Sequence, residues 1–140
     1  VLFYCEDIPQ VLAECRRVLK NGGRFLCSTY GKQHMREITD LVQQFHKEIV
    51  LSAEVLYERF GLENGENLLA PYFPEIQMRR YEDAIEIAEA EPLISYILSC
   101  HGNQNQLLLN QYKEFREFVS ARVADGFHIT KDAGIFLCRK

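Results

Sequence analysis

Apolar residues recur with helix-like and then strand-like spacing along this 140-residue chain. After Asp7 they return every three or four positions, which predicts a helix that starts at Asp7 or Ile8 and has Pro9 in its first turn. Asn21-Gly22-Gly23 ends this helix, because glycine readily adopts the left-handed cap conformation. The short apolar run from Arg24 to Thr29 then predicts a β-strand. Together these elements form half of a β-α-β crossover.

The remainder of the chain predicts further helices and two more strand regions. One strand is expected from Ile76 to Tyr81, and residues Ala84 to Ala88 either extend it or form an irregular link. The tail has two short apolar runs around Asp132-Ala133-Gly134, which predicts a closing β-hairpin. The predicted helices span about residues 33–50, 53–60 with Ser52 as its cap, 66–72, 91–98 and 106–124. One compact α/β unit is expected.

Composition and charge argue against several classes of function. Hydrophobic residues make up 47% and charged residues 26% of the chain, as in ordinary globular domains. The net charge of −4 argues against a nucleic-acid partner. No apolar run approaches the ~18 residues that a membrane helix needs, and no signal peptide is visible. Five cysteines without a C-x-x-C pair, and scattered histidines, predict no metal site and favour a reducing, cytoplasmic compartment.

Residues 1–31, VLFYCEDIPQVLAECRRVLKNGGRFLCSTYG, resemble the segment that follows the fourth strand in class I S-adenosylmethionine-dependent methyltransferases (methyltransferase type 11-like). An apolar-aromatic run precedes the acidic turn Glu6-Asp7. An E-x-x-R-V-L-K pattern follows at Glu14 to Lys20. A turn usually written P-G-G then leads into the next strand, and here Asn21 replaces the proline while both glycines remain.

This resemblance implies the C-terminal half of a doubly wound, Rossmann-like methyltransferase sheet. About three or four strands are expected in a single partial domain over residues 1–140, with the Ile76 strand and the closing antiparallel hairpin as strands six and seven. A helical insertion at residues 34–73 is expected to form a lid over the methyl acceptor. The alternative is an ordinary satellite core. Because the chain starts at Val1 in an apolar run, its natural start is expected upstream.

S-adenosylmethionine is the cofactor that the resemblance implies, yet the family's main binding motif is absent from these residues. The glycine-rich loop after the family's first strand is missing, and Gly22-Gly23 closes a helix where that loop would open one. The acidic residue that would hold the ribose is missing too. The isolated chain is therefore expected to bind the cofactor poorly and to be inactive.

Candidate site residues lie where strands of an open α/β sheet end, because ligands bind beyond the carboxyl ends of such strands. They are Leu2 and Phe3 at the edge of the cofactor site, Tyr4, Thr29 and Tyr30 for the substrate, and His34 as a general base. A base is needed if the methyl acceptor carries a proton. Alternatively, Phe3 and Tyr4 pack the helix onto the sheet, and His34 is a surface or capping residue.

Two functions of different classes follow. The first is a methyltransferase that acts on a small molecule, of which this chain is the acceptor-side half. The second is a non-catalytic α/β interaction or oligomerisation module. In the second, the edge of the Arg24 strand pairs with another chain, because an open edge leaves unpaired backbone groups. Association through this edge, as a homo-oligomer or with a second copy, is expected for a truncated sheet.

Overall fold

The computed structural model describes residues 1–52 and 55–140. They form two compact units. The first contains residues 1–34, 55–82 and 132–140, and the second contains the described residues from 35 to 52 together with 83–131. The predicted insertion at 34–73 is thus divided between the units. A single domain with a lid at 34–73 stays a prediction.

Seven α-helices and three strands follow a short 3-10 helix among the described residues. The 3-10 helix is Leu2–Tyr4. The α-helices are α1 (Ile8–Val18), α2 (Arg36–Phe45), α3 (Leu56–Arg59), α4 (Gly65–Leu69), α5 (Ala90–Ser99), α6 (Gln104–Leu108) and α7 (Tyr112–Val123). The strands are β1 (Arg24–Tyr30), β2 (Glu75–Ile87) and β3 (Phe127–Arg139). The mixed α/β composition expected from the sequence is confirmed.

Helix α1 starts as predicted, but it ends at Val18 with Leu19 as an extended C-cap, before the predicted stop at Asn21-Gly22-Gly23. The Asp7 carboxylate accepts a hydrogen bond of 2.8 Å from the Gln10 N–H, which satisfies one of the donors that a helix start leaves open. Pro9 lies in the first turn, and Gly22 just beyond the helix has a φ of 74°. The turn at Gly22 then leads the chain into β1, which begins at Arg24.

The sheet is three-stranded and antiparallel, with the order β1-β3-β2. Strands β1 and β3 pair from Arg24 opposite Arg139 to Tyr30 opposite Ala133. Strand β1 therefore lies at one edge of the sheet and β2 at the other. β2 extends to Ile87, so the segment after Tyr81 continues the strand.

The predicted closing hairpin is wrong, since residues 127–139 form one continuous strand. Gly134 lies inside β3 opposite Thr29 and does not have a positive φ. Gly134 is needed because neighbouring atoms pack closely against its backbone, and not because the chain turns there. A Cβ atom there would lie 2.7 Å from Leu62 Cδ2 and 2.8 Å from the Arg79 carbonyl oxygen.

Other predicted boundaries shift as well. The single helix expected at 106–124 is two helices, α6 and α7, and the helix expected at 33–50 is only Arg36–Phe45. The expected start of the next helix at Ala53 lies outside the described residues. Ser52 forms an isolated parallel bridge with His101.

Each unit has its own hydrophobic core. In the first, Phe25 stacks on Phe73 with 5.3 Å between ring centroids, and Phe60 meets Phe136 edge-on at 5.9 Å. In the second, α7 packs on α2 and α5. The second core is built from Ile38, Val42, Ile49, Leu93, Ile97, Phe115 and Val119. In the described ranges, no helix combines the length and the apolar character that crossing a membrane requires.

Candidate functional site

A row of four aromatic rings lies at the end of β1, within the first unit. Tyr30, the last residue of β1, has its ring centroid 5.3 Å from that of Phe3. Tyr4 also meets the Phe3 ring, edge-on at 4.7 Å. His34 stacks on Tyr30 at 5.0 Å with an interplanar angle of 23°. The fold thus brings four of the six predicted site residues together.

Burial differs along this row. Leu2 and Phe3 are 9% and 8% exposed and belong to the core of the first unit. Tyr4 is 67% exposed, while Tyr30 and His34 are partly buried. A ligand can therefore reach the row at Tyr4 and at the Tyr30–His34 stack more easily than at Phe3.

Thr29 is placed differently from its neighbours. It is buried, and its hydroxyl donates a 2.7 Å hydrogen bond to the Phe60 carbonyl oxygen. This bond ties β1 to the chain just after α3. Its role in substrate binding stays a prediction.

The tight turn from Gly31 to His34 holds the imidazole over the Tyr30 ring. The His34 N–H donates to the Gly31 carbonyl oxygen at 3.1 Å, and the Gly31 N–H donates to the Asp132 carbonyl oxygen at 2.9 Å. The turn cannot tolerate a side chain at Gly31. A Cβ atom there would collide with the Asp132 carboxylate and lie 2.7 Å from Glu63 Oε1.

Two carboxylates from distant parts of the chain fix this turn. The Lys32 N–H donates to Glu63 Oε1 at 3.3 Å, and the Gln33 N–H donates to Asp132 Oδ2 at 3.3 Å. Arg80 links the two, with its guanidinium 3.2 Å from Asp132 Oδ1 and 3.4 Å from Glu63 Oε1. The Asp132 side chain is only 7% exposed, and its charge is balanced by Arg80.

Sequence reasoning missed this carboxylate–arginine cluster. Glu63 lies two residues after Gly61, Arg80 lies in a predicted strand, and Asp132 lies in a predicted turn. The partners are separated by between 17 and 99 positions, so no local spacing pattern links them. One local signal existed: glycine directly after a strand is typical of a close approach by other parts of the chain.

Other polar features involve residues outside the aromatic row. A shallow depression of about 460 Å³ in the second unit is lined by Asp40, Gln43, Gln44 and Lys47, none of which is a predicted site residue. Burial raises the pKa of Cys27 to about 12, with a smaller contribution from nearby Cys138. Such a thiol is a poor nucleophile near neutral pH. Over residues 1–52 and 55–140, no group of three His, Cys, Asp or Glu side chains is placed to hold a metal ion.

Comparison with known proteins identifies one family at the start of the chain. Residues 1–27 match a family model described as a methyltransferase domain. The N-terminal segment, from the 3-10 helix through α1 into β1, is thus similar to part of a methyltransferase domain. No curated protein matches the chain. The match includes Phe3 and Tyr4 of the aromatic row and ends at Cys27, three residues before Tyr30.

Proposed function

We propose that this chain is the acceptor-side, C-terminal half of an S-adenosylmethionine-dependent methyltransferase that acts on a small molecule in the cytoplasm. The observation that carries the proposal is the methyltransferase-domain match over residues 1–27, which leads directly into the strand that ends at the aromatic row. The sheet described here would then be part of a doubly wound sheet, continued by strands on the free side of β1.

The cofactor's main site does not fit on this chain. The sequence has no glycine-rich loop that opens a helix, and Leu2 and Phe3 have little exposed surface to offer. The residues present can supply only the edge of that site. The cofactor-binding residues would come from outside these 140 residues, and the chain alone would be inactive.

The aromatic row supports a role with the methyl acceptor. Group transfer is accelerated mainly by holding the reactants in line and excluding water. The exposed Tyr4 would offer its ring and hydroxyl group to orient a small molecule, and Tyr30 would line the same site. His34 lies against Tyr30, and an imidazole is well suited to take up a proton near neutral pH. His34 would therefore accept the proton of an acceptor hydroxyl or amine.

Calorimetric titration with S-adenosylmethionine tests the proposal. The chain would be compared with a form extended upstream by about 100–120 residues, the remainder of a typical domain. Binding by the extended form only is expected. Binding by neither form would refute the enzyme assignment, and binding by the 140-residue chain would show that the cofactor site is misplaced. Extended protein with His34→Gln is the matched control, since it should bind the cofactor normally.

A non-catalytic interaction module is the second candidate, and the free edge of β1 is the observation that favours it. Leu26, in the middle of this edge strand, is 54% exposed. In this reading a strand from a second copy pairs with β1 and covers Leu26. Light scattering on the chain and on Leu26→Lys distinguishes the readings: a clean monomer at all concentrations would count against the module.

A further inference from the structure

Strand β2 is a long and exposed edge. It spans 13 residues, and all of them are exposed except the partly buried Ile76 and Ile87. Among residues 1–52 and 55–140, only β3 neighbours it in the sheet, so the other side presents a row of backbone N–H and C=O groups. Such an edge is a template for another strand unless proline, glycine bulges or charges protect it. The sequence EIQMRRYEDAIEI contains no proline or glycine, which leaves charge as the element that selects a partner.

The charges of β2 are arranged symmetrically about Tyr81. Two arginines, Arg79 and Arg80, precede it, and two acids, Glu82 and Asp83, follow it. When two copies of β2 pair antiparallel about a two-fold axis at Tyr81, Arg79 lies opposite Asp83 of the other copy and Arg80 lies opposite Glu82. Opposite charges in directly facing positions stabilise strand pairing, whereas like charges destabilise it. An in-register parallel pair would instead place arginine against arginine.

We propose that β2 is a homodimerisation edge and that its occupant is β2 of a second copy of this chain. The interface is isologous, because the same segment serves on both sides. This assignment goes beyond methyl transfer and does not depend on it.

Arg79 and Asp83 are the residues that select the partner. They share one face of the strand with Tyr81, because side chains alternate between faces. Arg80 points to the other face, where it already pairs with Asp132 and Glu63 of its own chain. Within residues 1–52 and 55–140, neither Arg79 nor Asp83 forms an ion pair with another side chain. Tyr81, which is 66% exposed, would meet its own copy at the centre and lose much of that exposure.

The interface is expected to be weak and salt-dependent. A single strand-to-strand junction buries less surface than a standard interface of about 800 Å² per partner. Each copy carries a net charge of −4, so the dimer depends on the local complementarity of Arg79 and Asp83. Surface ion pairs weaken as salt screens them, and the dimer should dissociate accordingly.

Sedimentation velocity across about 1–500 µM, a range chosen for a weak interface, tests the proposal on the full chain. The native chain should show a concentration-dependent monomer–dimer equilibrium. Arg79→Asp and Asp83→Arg should each raise the dissociation constant at least about tenfold, since each places like charges opposite one another. The double variant should recover native dimerisation. Lys113→Asp, a similar charge change on the exposed side of α7, is the matched control and should behave as the native chain.

Three results would overturn the proposal. The first is a monomer at every concentration. The second is a dimer that Arg79→Asp does not weaken, including one lost only in Leu26→Lys, which would place the contact at β1. The third is a double variant that folds, as judged by circular dichroism, but stays monomeric.

Discussion

Removing the Asp132 carboxylate should loosen the turn that carries His34. Asp132→Ala deletes the ion pair with Arg80 and the acceptor of the Gln33 N–H. Breaking a fully buried pair costs about 3–5 kcal/mol, but Arg80 is 39% exposed and water can solvate it once its partner is lost. A hydrogen bond to a charged group contributes about 1.5–3 kcal/mol. The two contacts of Asp132 are 3.2 and 3.3 Å long, which is long for charged hydrogen bonds. Asp132→Ala should therefore lower the free energy of unfolding by about 2 kcal/mol, near the lower end of these ranges.

Urea unfolding followed by circular dichroism measures this loss, and it corresponds to a midpoint shift of about 1 M at an m-value of about 2 kcal/mol/M. Asp132→Asn should lose less, because its amide oxygen still accepts from Gln33. Glu63→Gln is the matched control and should stay within about 0.5 kcal/mol, since exposed ion pairs contribute little. In NMR spectra, the ring protons of His34 should lose the shift caused by the Tyr30 ring in Asp132→Ala only. Native stability and an unchanged His34 signal in Asp132→Ala would refute the reasoning.

Three further predictions concern other parts of the chain. Gly102→Ala should destabilise by at least about 2 kcal/mol, because its Cβ would collide with the Val50 carbonyl oxygen; a thermal midpoint like that of the native chain would contradict this. Burial alone would raise the pKa of Glu37, but hydrogen bonds from Thr130 outweigh it and lower the pKa from 4.5. The stabilisation from the ionised Glu37 is thus present above about pH 4.5 and is lost as the pH falls through the lower folded-state pKa. The difference in unfolding free energy between the native chain and Glu37→Gln should therefore shrink between pH 7 and pH 3. A difference that stays constant would count against this prediction. Cys27, with a pKa of about 12, should resist iodoacetamide at pH 8 in the native state and react in urea, as mass spectrometry would show; rapid labelling of the folded chain would be inconsistent with its burial.

Several site residues could be predicted because they lie close together in sequence. Tyr4 and Phe3 are neighbours, and Tyr30 and His34 are separated by one tight turn after a strand. The rule that ligands bind beyond strand ends pointed to this turn. The same rule says nothing about side-chain burial, so it did not distinguish Thr29, which is held by the Phe60 carbonyl oxygen, from the more accessible Tyr4.

The polar stretch from His101 to Asn105, between the helices predicted at 91–98 and 106–124, shows what local reasoning leaves out. The sequence predicts only a connection between helices here. In the structure, both polar atoms of the Asn103 side-chain amide hold the segment around Val50. Its side-chain oxygen accepts from the Val50 N–H and its amide nitrogen donates to the Glu48 carbonyl oxygen, both at 2.7 Å. These contacts join residues more than 50 positions apart, which no periodic pattern along the chain records.

The sequence by itself determined α1, its Asp7 cap, the glycine turn and the start of β1, because caps, turns and short periodic runs depend on interactions within a few residues. It also determined the methyltransferase-like character of the N-terminal segment, since that signature is contiguous. Only the tertiary structure decided that Gly134 lies within a strand, and that Asp132, Glu63 and Arg80 meet at Gly31. The physical reason is that glycine is required both for turns and for close approach, and only the atoms brought next to it by the fold decide which requirement applies.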